Sequence, residues 1–368
     1  MSTRTMWQDK YAIEQTATLI GKPTFAATAI GVEGTGAAGG VFLNPTTDHP
    51  HLKPSSSINE QELAIGLSQR HHLEYNTTVA EPNSVTLNMQ LNAYNLSLFM
   101  WLLFQSAAGE GTSGANTIMS VSPYTEADYE IYCAITRLLG GTAGDADTES
   151  QYMAGCICSS FTITGESGGM MQLSAEMMGA DWAIAANDIG TATWADLTFS
   201  DKAPLKFQDM GFALDSEWVN VPSISFTVNA NVTPQFYNNN TIQKYVLGRM
   251  AVEGSFGVPY GAASTNQDKS QQILDFQSGI DKRIHMGWGD TGGDGDNAIS
   301  IVANGRYTDA EMADAEGEIV TNCTFAGVYD SDGHNAIEMY AGYATASLVR
   351  GAPAATTTST STTSTSTS

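Results

Sequence analysis

The sequence predicts a mainly β protein built from two similar halves, and three observations carry that prediction. Between Cys156 and Trp182, apolar residues alternate into a Gly-rich turn (Ile157, Phe161, Ile163) and out of it again (Met171, Leu173, Ala175, Met177), the period-2 signature of two paired strands. About 65 residues further on, Ser225-Phe226-Thr227-Val228 echoes Ser160-Phe161-Thr162-Ile163. Hydrophobic residues make up 42% of the chain and charged residues only 15%, so Thr, Ser, Gly and Asn stand where Lys and Glu usually do. That composition suits strands whose surfaces are largely taken up by contacts.

Taken in order, residues 1–58 have weak periodicity and a Pro/His/Ser cluster from Pro45 to Ser57, which reads as an extended arm holding at most a short strand pair. Strand-like runs follow at Leu63–Leu67 and at His72–Leu91, the second broken at Pro82. Asn95 is placed to cap a helix through Phe104 that is apolar nearly all round and therefore buried. A Gly/Ser-rich loop (Ala107–Ala115) leads to strands at Thr117–Val121 and Tyr129–Leu138, and then to the hairpin. The second half opens near Leu205, with strands at Gly211–Asp215, Ser223–Val232 and Val246–Val258. Asp268 is placed to cap a helix, Lys269–Phe276, with Ile273, Leu274 and Phe276 as its apolar face. Strands at Ile280–Trp288, Ile299–Tyr307, Ile319–Tyr329 and Ala336–Ala346 complete it.

In each half, strands precede one helix and four strands follow it, a pattern that indicates duplication of one module. The expected organisation is an arm over 1–58, modules over 59–204 and 205–350, and a Ser/Thr tail over 351–368 with nothing apolar to bury.

With 15 basic and 39 acidic residues the net charge is −24. Such a chain repels phosphates and offers no basic face to read a nucleic acid. The first twenty residues have no continuous apolar core of a secretory signal, and no run approaches the ~20 apolar residues of a membrane helix. Synthesis in a cytoplasm, with no membrane partner, is the expectation.

Several motifs imitate chemistry. Gly165-Glu166-Ser167-Gly168-Gly169 fits a nucleophile pattern, but an elbow serine needs a helix directly after it, and Met170–Met178 alternates like a strand. A protease would need His then Asp upstream; His71 or His72 and Asp128 stand in that order without a catalytic context. A plain hairpin turn is the favoured reading. Asp290–Asn297 resembles a calcium loop but lacks the distant bidentate Glu of an EF-hand; a polar loop between strands is favoured. His71 and His72 are adjacent, so on a strand they face opposite ways. Cys133, Cys156, Cys158 and Cys323 lack zinc-site spacing and read as buried free thiols. Met170, Met171, Met177 and Met178 suit adaptable packing. No catalytic, cofactor-binding or metal-ligating set emerges.

The hairpin (Ser159–Gly169, followed by Leu173-Ser174-Ala175-Glu176 and Gly179-Ala180-Asp181) resembles the major tail tube proteins of long-tailed, siphovirus-type bacteriophages. The later stretches Val221–Asn231, Gly248-Arg249, Gly254–Val258, Asn304–Tyr307 and Glu316–Glu318 look like the second half of that family. The resemblance spans Glu60–Arg350. It implies a β-sandwich or half-barrel with a flanking helix, no enzymatic activity and no cofactor. It further implies self-association into stacked rings around a tape measure protein, tail tip and terminator proteins as partners, and passage of genomic DNA without specific binding. Location in the virion tail follows. Six modules per ring are usual in the family, so two modules per chain imply three chains, and one module implies six. Phe236, Tyr237 and Tyr245, in the loop from Pro234 to Tyr245, are the candidate subunit contacts; a covered core edge would use the same aromatics equally well. Two other readings stand behind this one: a secreted or surface β-sandwich adhesin, and, last, a serine hydrolase using Ser167.

Overall fold

An extended chain whose apolar residues alternate with polar ones has all its apolar groups on one side, so each such run becomes a half-buried strand. The computed structural model describes residues 10–16, 40–43, 50, 52, 56–64, 72–80, 82–104, 110–113, 116–121, 132–139, 149–186, 203–215, 217–238, 242–259, 271–289, 298–315, 318–328 and 336–342. The first half holds β1 (Lys10–Thr16), β2 (Gly40–Leu43), β3 (Ser56–Ala64), β4 (His72–Ala80), β5 (Asn83–Gln90), α1 (Ala93–Phe104), β6 (Glu110–Ser113), β7 (Asn116–Val121), β8 (Tyr132–Leu139), β9 (Glu149–Glu166), β10 (Gln172–Gly179) and β11 (Asp181–Ala186). The second holds β12 (Gly211–Leu214), β13 (Glu217–Trp218), β14 (Ser223–Asn229), β15 (Thr233–Gln235), β16 (Lys244–Val246), β17 (Ala251–Pro259), α2 (Gln271–Ser278), β18 (Asp281–Trp288), β19 (Ala298–Ala315), β20 (Glu318–Gly327) and β21 (Ile337–Gly342). The fold is therefore mainly β, as the sequence predicts, and 17 of the strands join in one sheet system.

The hairpin strand and its echo are neighbours. β9 pairs antiparallel with β14, so that Phe161 faces Val228, Thr162 faces Thr227 and Ile163 faces Phe226. This seam lies inside a continuous run of strands, β5–β10–β9–β14–β17–β20–β19. One side of the run is core: Leu87, Leu173, Phe161, Phe226, Phe256 and Phe325 are all buried there. α1 packs against β7, β9 and β21, and α2 against β19 and β20.

β9 and β19 are each 18 residues long. Each carries a bulge at its eleventh residue, Ser159 in one and Thr308 in the other, where pairing to the next strand skips a position. Before the bulge, β9 is flanked by β8 and β11, and β19 by β18 and β21. After it, β9 pairs with β10 and β19 with β20, and these pair on their far sides with β5 and β17.

The structure departs from the sequence reading at several points. Asn92, not Asn95, caps α1: its Oδ1 accepts the Asn95 backbone N–H at 2.7 Å. α2 turns Gln272 and Asp275 inward and leaves Leu274 49% exposed. Asp275 reaches the buried Lys282 Nζ at 2.9 Å, and Gln272 accepts from the Tyr307 hydroxyl, so paired polar groups take the inner face. β19 continues eight residues past Tyr307, because β20 pairs with Asp309-Ala310-Glu311-Met312-Ala313-Asp314-Ala315 beyond the bulge at Thr308, despite the weak alternation there. Within the expected Gly/Ser loop, β6 pairs with β7. Within the expected arm, β1 is a strand of the main sheet with Tyr11 and Ile13 buried, and β2 lies beside it. The expected strand Val246–Val258 is divided between β16 and β17, and β14 stops before Asn231, whose φ of +48° is incompatible with extended pairing. Asp268, residues 290–297, His71, Asp128 and the tail lie outside the described residues.

Candidate functional site, a hydroxyl-rich sheet face

Because side chains alternate, the run that buries Phe161 and Phe226 on one side must present its intervening residues on the other. Directly paired residues share a face, which defines rows across the sheet. One row is Asn88–Ser174–Thr162–Thr227–Glu253. The next is Gln90–Gln172–Thr164–Ser225–Ser255–Thr324–Asp309. Others pair Thr86 with Glu176 and Ser160, and Asn322 with Glu311. The face is made of hydroxyls, amides and carboxylates.

Its side chains satisfy one another. Ser174 donates to Asn88 Oδ1 at 2.7 Å, and Ser160 to Glu176 Oε2 at 3.1 Å. Thr162 and Thr227 hydroxyls lie 3.0 Å apart, and those of Thr308 and Thr324 2.9 Å. Glu166, Glu176, Glu253, Asp309 and Glu311 are exposed. Among the described residues, the one cation in line with these rows is Arg306, at the end of the Glu253 row beyond Ala326. Asp281 holds it, with carboxylate oxygens 2.7 and 3.0 Å from the guanidinium Nε and terminal N, so its charge is locally neutralised. An open depression of about 370 Å³ lies over Ser225, Thr227, Glu253, Ser255, Thr308 and Thr324. It lacks the apolar walls of a small-molecule site. The arrangement is a broad, wettable, anionic wall.

Ser167 sits in the turn between β9 and β10, where Gly168 takes φ +81° and the Ser167 N–H donates to the Pro222 carbonyl at 2.8 Å. A strand follows it, so it occupies no elbow. The four cysteines are buried and free. Burial holds the Cys158 and Cys133 thiols well above the usual range and pushes Cys323 up to about 12, which disfavours the thiolate at these three. Among the described residues no cluster of three or more His, Cys, Asp or Glu is placed to hold a metal, and no described helix is long and apolar enough to cross a membrane.

Of the three candidate contact aromatics, Tyr245 is buried within its own chain: its hydroxyl donates to the Gly155 carbonyl at 2.9 Å, and its ring lies 6.3 Å from that of Tyr132. Burial raises its phenol pKa. Phe236 packs partly against the same cluster, while Tyr237 is 73% exposed next to β15. The sequence reading missed the polar face itself. Its signal was present in the polar positions between the apolar ones, Ser160-x-Thr162-x-Thr164 and Ser223-x-Ser225-x-Thr227.

The sequence model of one family, described as phage tail tube protein, matches residues 16–318, most of the chain. No curated protein matches it.

Proposed function

The chain belongs to the phage tail tube family, and on that premise we propose that it is the repeating subunit of the tail tube, with its hydroxyl-rich sheet face turned to the lumen. The observation that carries this reading is the sidedness of the β5–β10–β9–β14–β17–β20–β19 run. One face is hydrophobic core, and the other is a wall of Ser, Thr, Asn, Gln and carboxylates with its terminal Arg306 neutralised. A duplex sliding past such a wall finds water and like charge, and among the described residues no free lysine or arginine fork to hold its phosphates.

The two halves, 59–204 and 205–350 with β1 and β2 added to the first, are copies of one module. The matched lengths and bulges of β9 and β19 support this. β17 is flanked by β20 and β14, whereas β5 has a described partner only in β10, so each chain offers seven lumen strands and one further place. Three chains then close a ring of about 24 strands, which at ~4.8 Å spacing and ~40° tilt encloses a bore about 45–50 Å across between backbones. That bore admits the tape measure protein first and DNA during ejection. Rings stack into the tube of a siphovirus-type virion between tip and terminator proteins, with the exposed Tyr237 as a candidate contact to the neighbouring ring.

Negative-stain or cryo-electron microscopy of the purified chain tests the reading. Stacked rings with three chains each are expected. Six-chain rings would remove the duplication and keep the tube, and a monomer at every concentration would remove the tube.

A further inference from the structure

The two long hairpins end in tips that are unequally covered. At the β9–β10 tip, Ile163 and Met171 are fully buried. At the β19–β20 tip, the same register positions, four residues past the bulge and across from its sixth, hold Met312 and Ile319, which are 48% and 50% exposed. Beyond Arg306, β19 also has no described partner on the side away from β20, where β9 has β14. Isolated exposed apolar residues need no explanation, but two that are buried at their counterparts mark a surface that is covered by something.

What covers the first tip is the segment entering β12. Met171 N–H donates to Leu205 O at 2.9 Å, Phe207 N–H to Gly169 O at 3.1 Å, and Met170 is bridged to Lys206. Phe207 itself is buried. β12 holds the same place in the second half that β1 holds in the first. Gly211 pairs with Gly287 as Tyr11 pairs with Arg137, and these face the third residues of β19 and β9, Ser300 and Gln151. Counting back from that register, Met6 and Trp7 stand before β1 as Lys206 and Phe207 stand before β12.

We propose that the β19–β20 tip is closed by a second copy of this chain, through the segment that precedes its β1. Trp7 of that copy covers Met312 and Ile319 as Phe207 covers the first tip. Within the strand run β19 stands at the end opposite β5, so a neighbouring copy lies beside it when a ring closes. The contact is head-to-tail, so it repeats around the ring until the ring closes. The proposal rests on the tail tube reading and specifies which surfaces meet.

The test is the full-length double variant Met6→Cys with Glu318→Cys, the positions matching Lys206 and Met170. Directly paired strand residues bring their Cβ atoms to about 4.5–5.5 Å, close enough for a disulfide after small adjustment. Mild oxidation of assembled rings is expected to give covalent dimers and trimers on a non-reducing gel, with none from either single variant. Ile319→Asp and Trp7→Ala should each raise the concentration needed for assembly at least tenfold and leave the monomer's melting temperature unchanged. Leu274→Asp, at an exposed apolar site on α2, should leave assembly intact. Wild-type rings together with an Ile319→Asp variant that assembles equally well, or with no cross-link in the double variant, would overturn the proposal and spare the tube. A wild-type chain that never assembles would overturn both.

Discussion

Thr162 and Thr227 face each other across the seam between the two halves, with their hydroxyl oxygens 3.0 Å apart. One residue on, Ile163 and Phe226 face each other on the opposite side of the sheet, both buried. The seam is therefore held by its apolar side and merely tidied by its polar one. Phe226→Ala should cost about 3–5 kcal/mol, whereas the double variant Thr162→Val with Thr227→Val should cost about 1 kcal/mol or less. Urea denaturation of the unassembled chain measures both.

Lys282 is a buried cation, 2.9 Å from the buried Asp275 and 3.0 Å from the exposed Asp215. Burial pulls its ammonium pKa down, but the bonds to Asp275 and Asp215 outweigh that, and the net shift is upward. Lys282→Met strands the buried Asp275 and should cost about 3–5 kcal/mol, and adding Asp275→Leu should recover a good part of it. The raised pKa means that the stabilisation is fully present below about pH 10.4 and is lost as pH rises through the folded value. The stability gap between wild type and Lys282→Met should therefore shrink in strong alkali.

His285 behaves in the opposite sense. Burial, and then the neighbouring Arg283, lower its pKa, and its Nε2 lies 3.0 Å from the Ser300 hydroxyl. The neutral ring belongs to the folded state, so its contribution is present above about pH 6.5 and is lost as pH falls through the lower folded value. Melting temperatures taken between pH 7 and pH 5 should fall more steeply for wild type than for His285→Gln.

The polar face is predicted to resist DNA through its carboxylates. Replacing the exposed Glu176 and Glu253 with Lys should make assembled tubes retain duplex DNA in a filter assay at about 50 mM salt and release it near 200 mM. Wild-type tubes should retain none. Retention by wild type would place a different face toward the lumen.

Ser167→Ala should assemble like wild type, because the turn uses the Ser167 backbone N–H and the Gly168 conformation rather than the hydroxyl. A fluorophosphonate probe should leave Ser167 unlabelled. Stoichiometric labelling would restore the hydrolase reading.

Much of the fold was legible wherever burial on one face forces a period of two. β9, β10, β14 and β18 stand close to where their Ile, Phe, Leu and Met alternation puts them, and the largely apolar α1 is buried at each of its described side chains, as expected. Legibility failed where a neighbour, not the local pattern, decides the outcome. The second half of β19 has too few apolar residues to announce a strand, yet β20 supplies its hydrogen bonds. Leu274 looked like a core residue, and the inward turn of α2 went instead to Asp275 and Gln272, whose partners come from β18 and β19. Tyr245 gives its hydroxyl to Gly155 and its ring to Tyr132, about a hundred positions earlier, partners that no local pattern names.

Taken alone, the sequence determined the strands whose apolar residues alternate and what chemistry those strands carry on their two faces, because both follow from side chains a few residues apart. Only the tertiary structure decided that the echo lies against the strand it echoes. Backbone hydrogen bonds are alike at every residue, so the choice of neighbour depends on how distant strands bury their apolar sides together. That choice makes one continuous polar wall out of Ser, Thr and Glu residues scattered from Thr86 to Thr324. It also leaves one hairpin tip covered and the other bare.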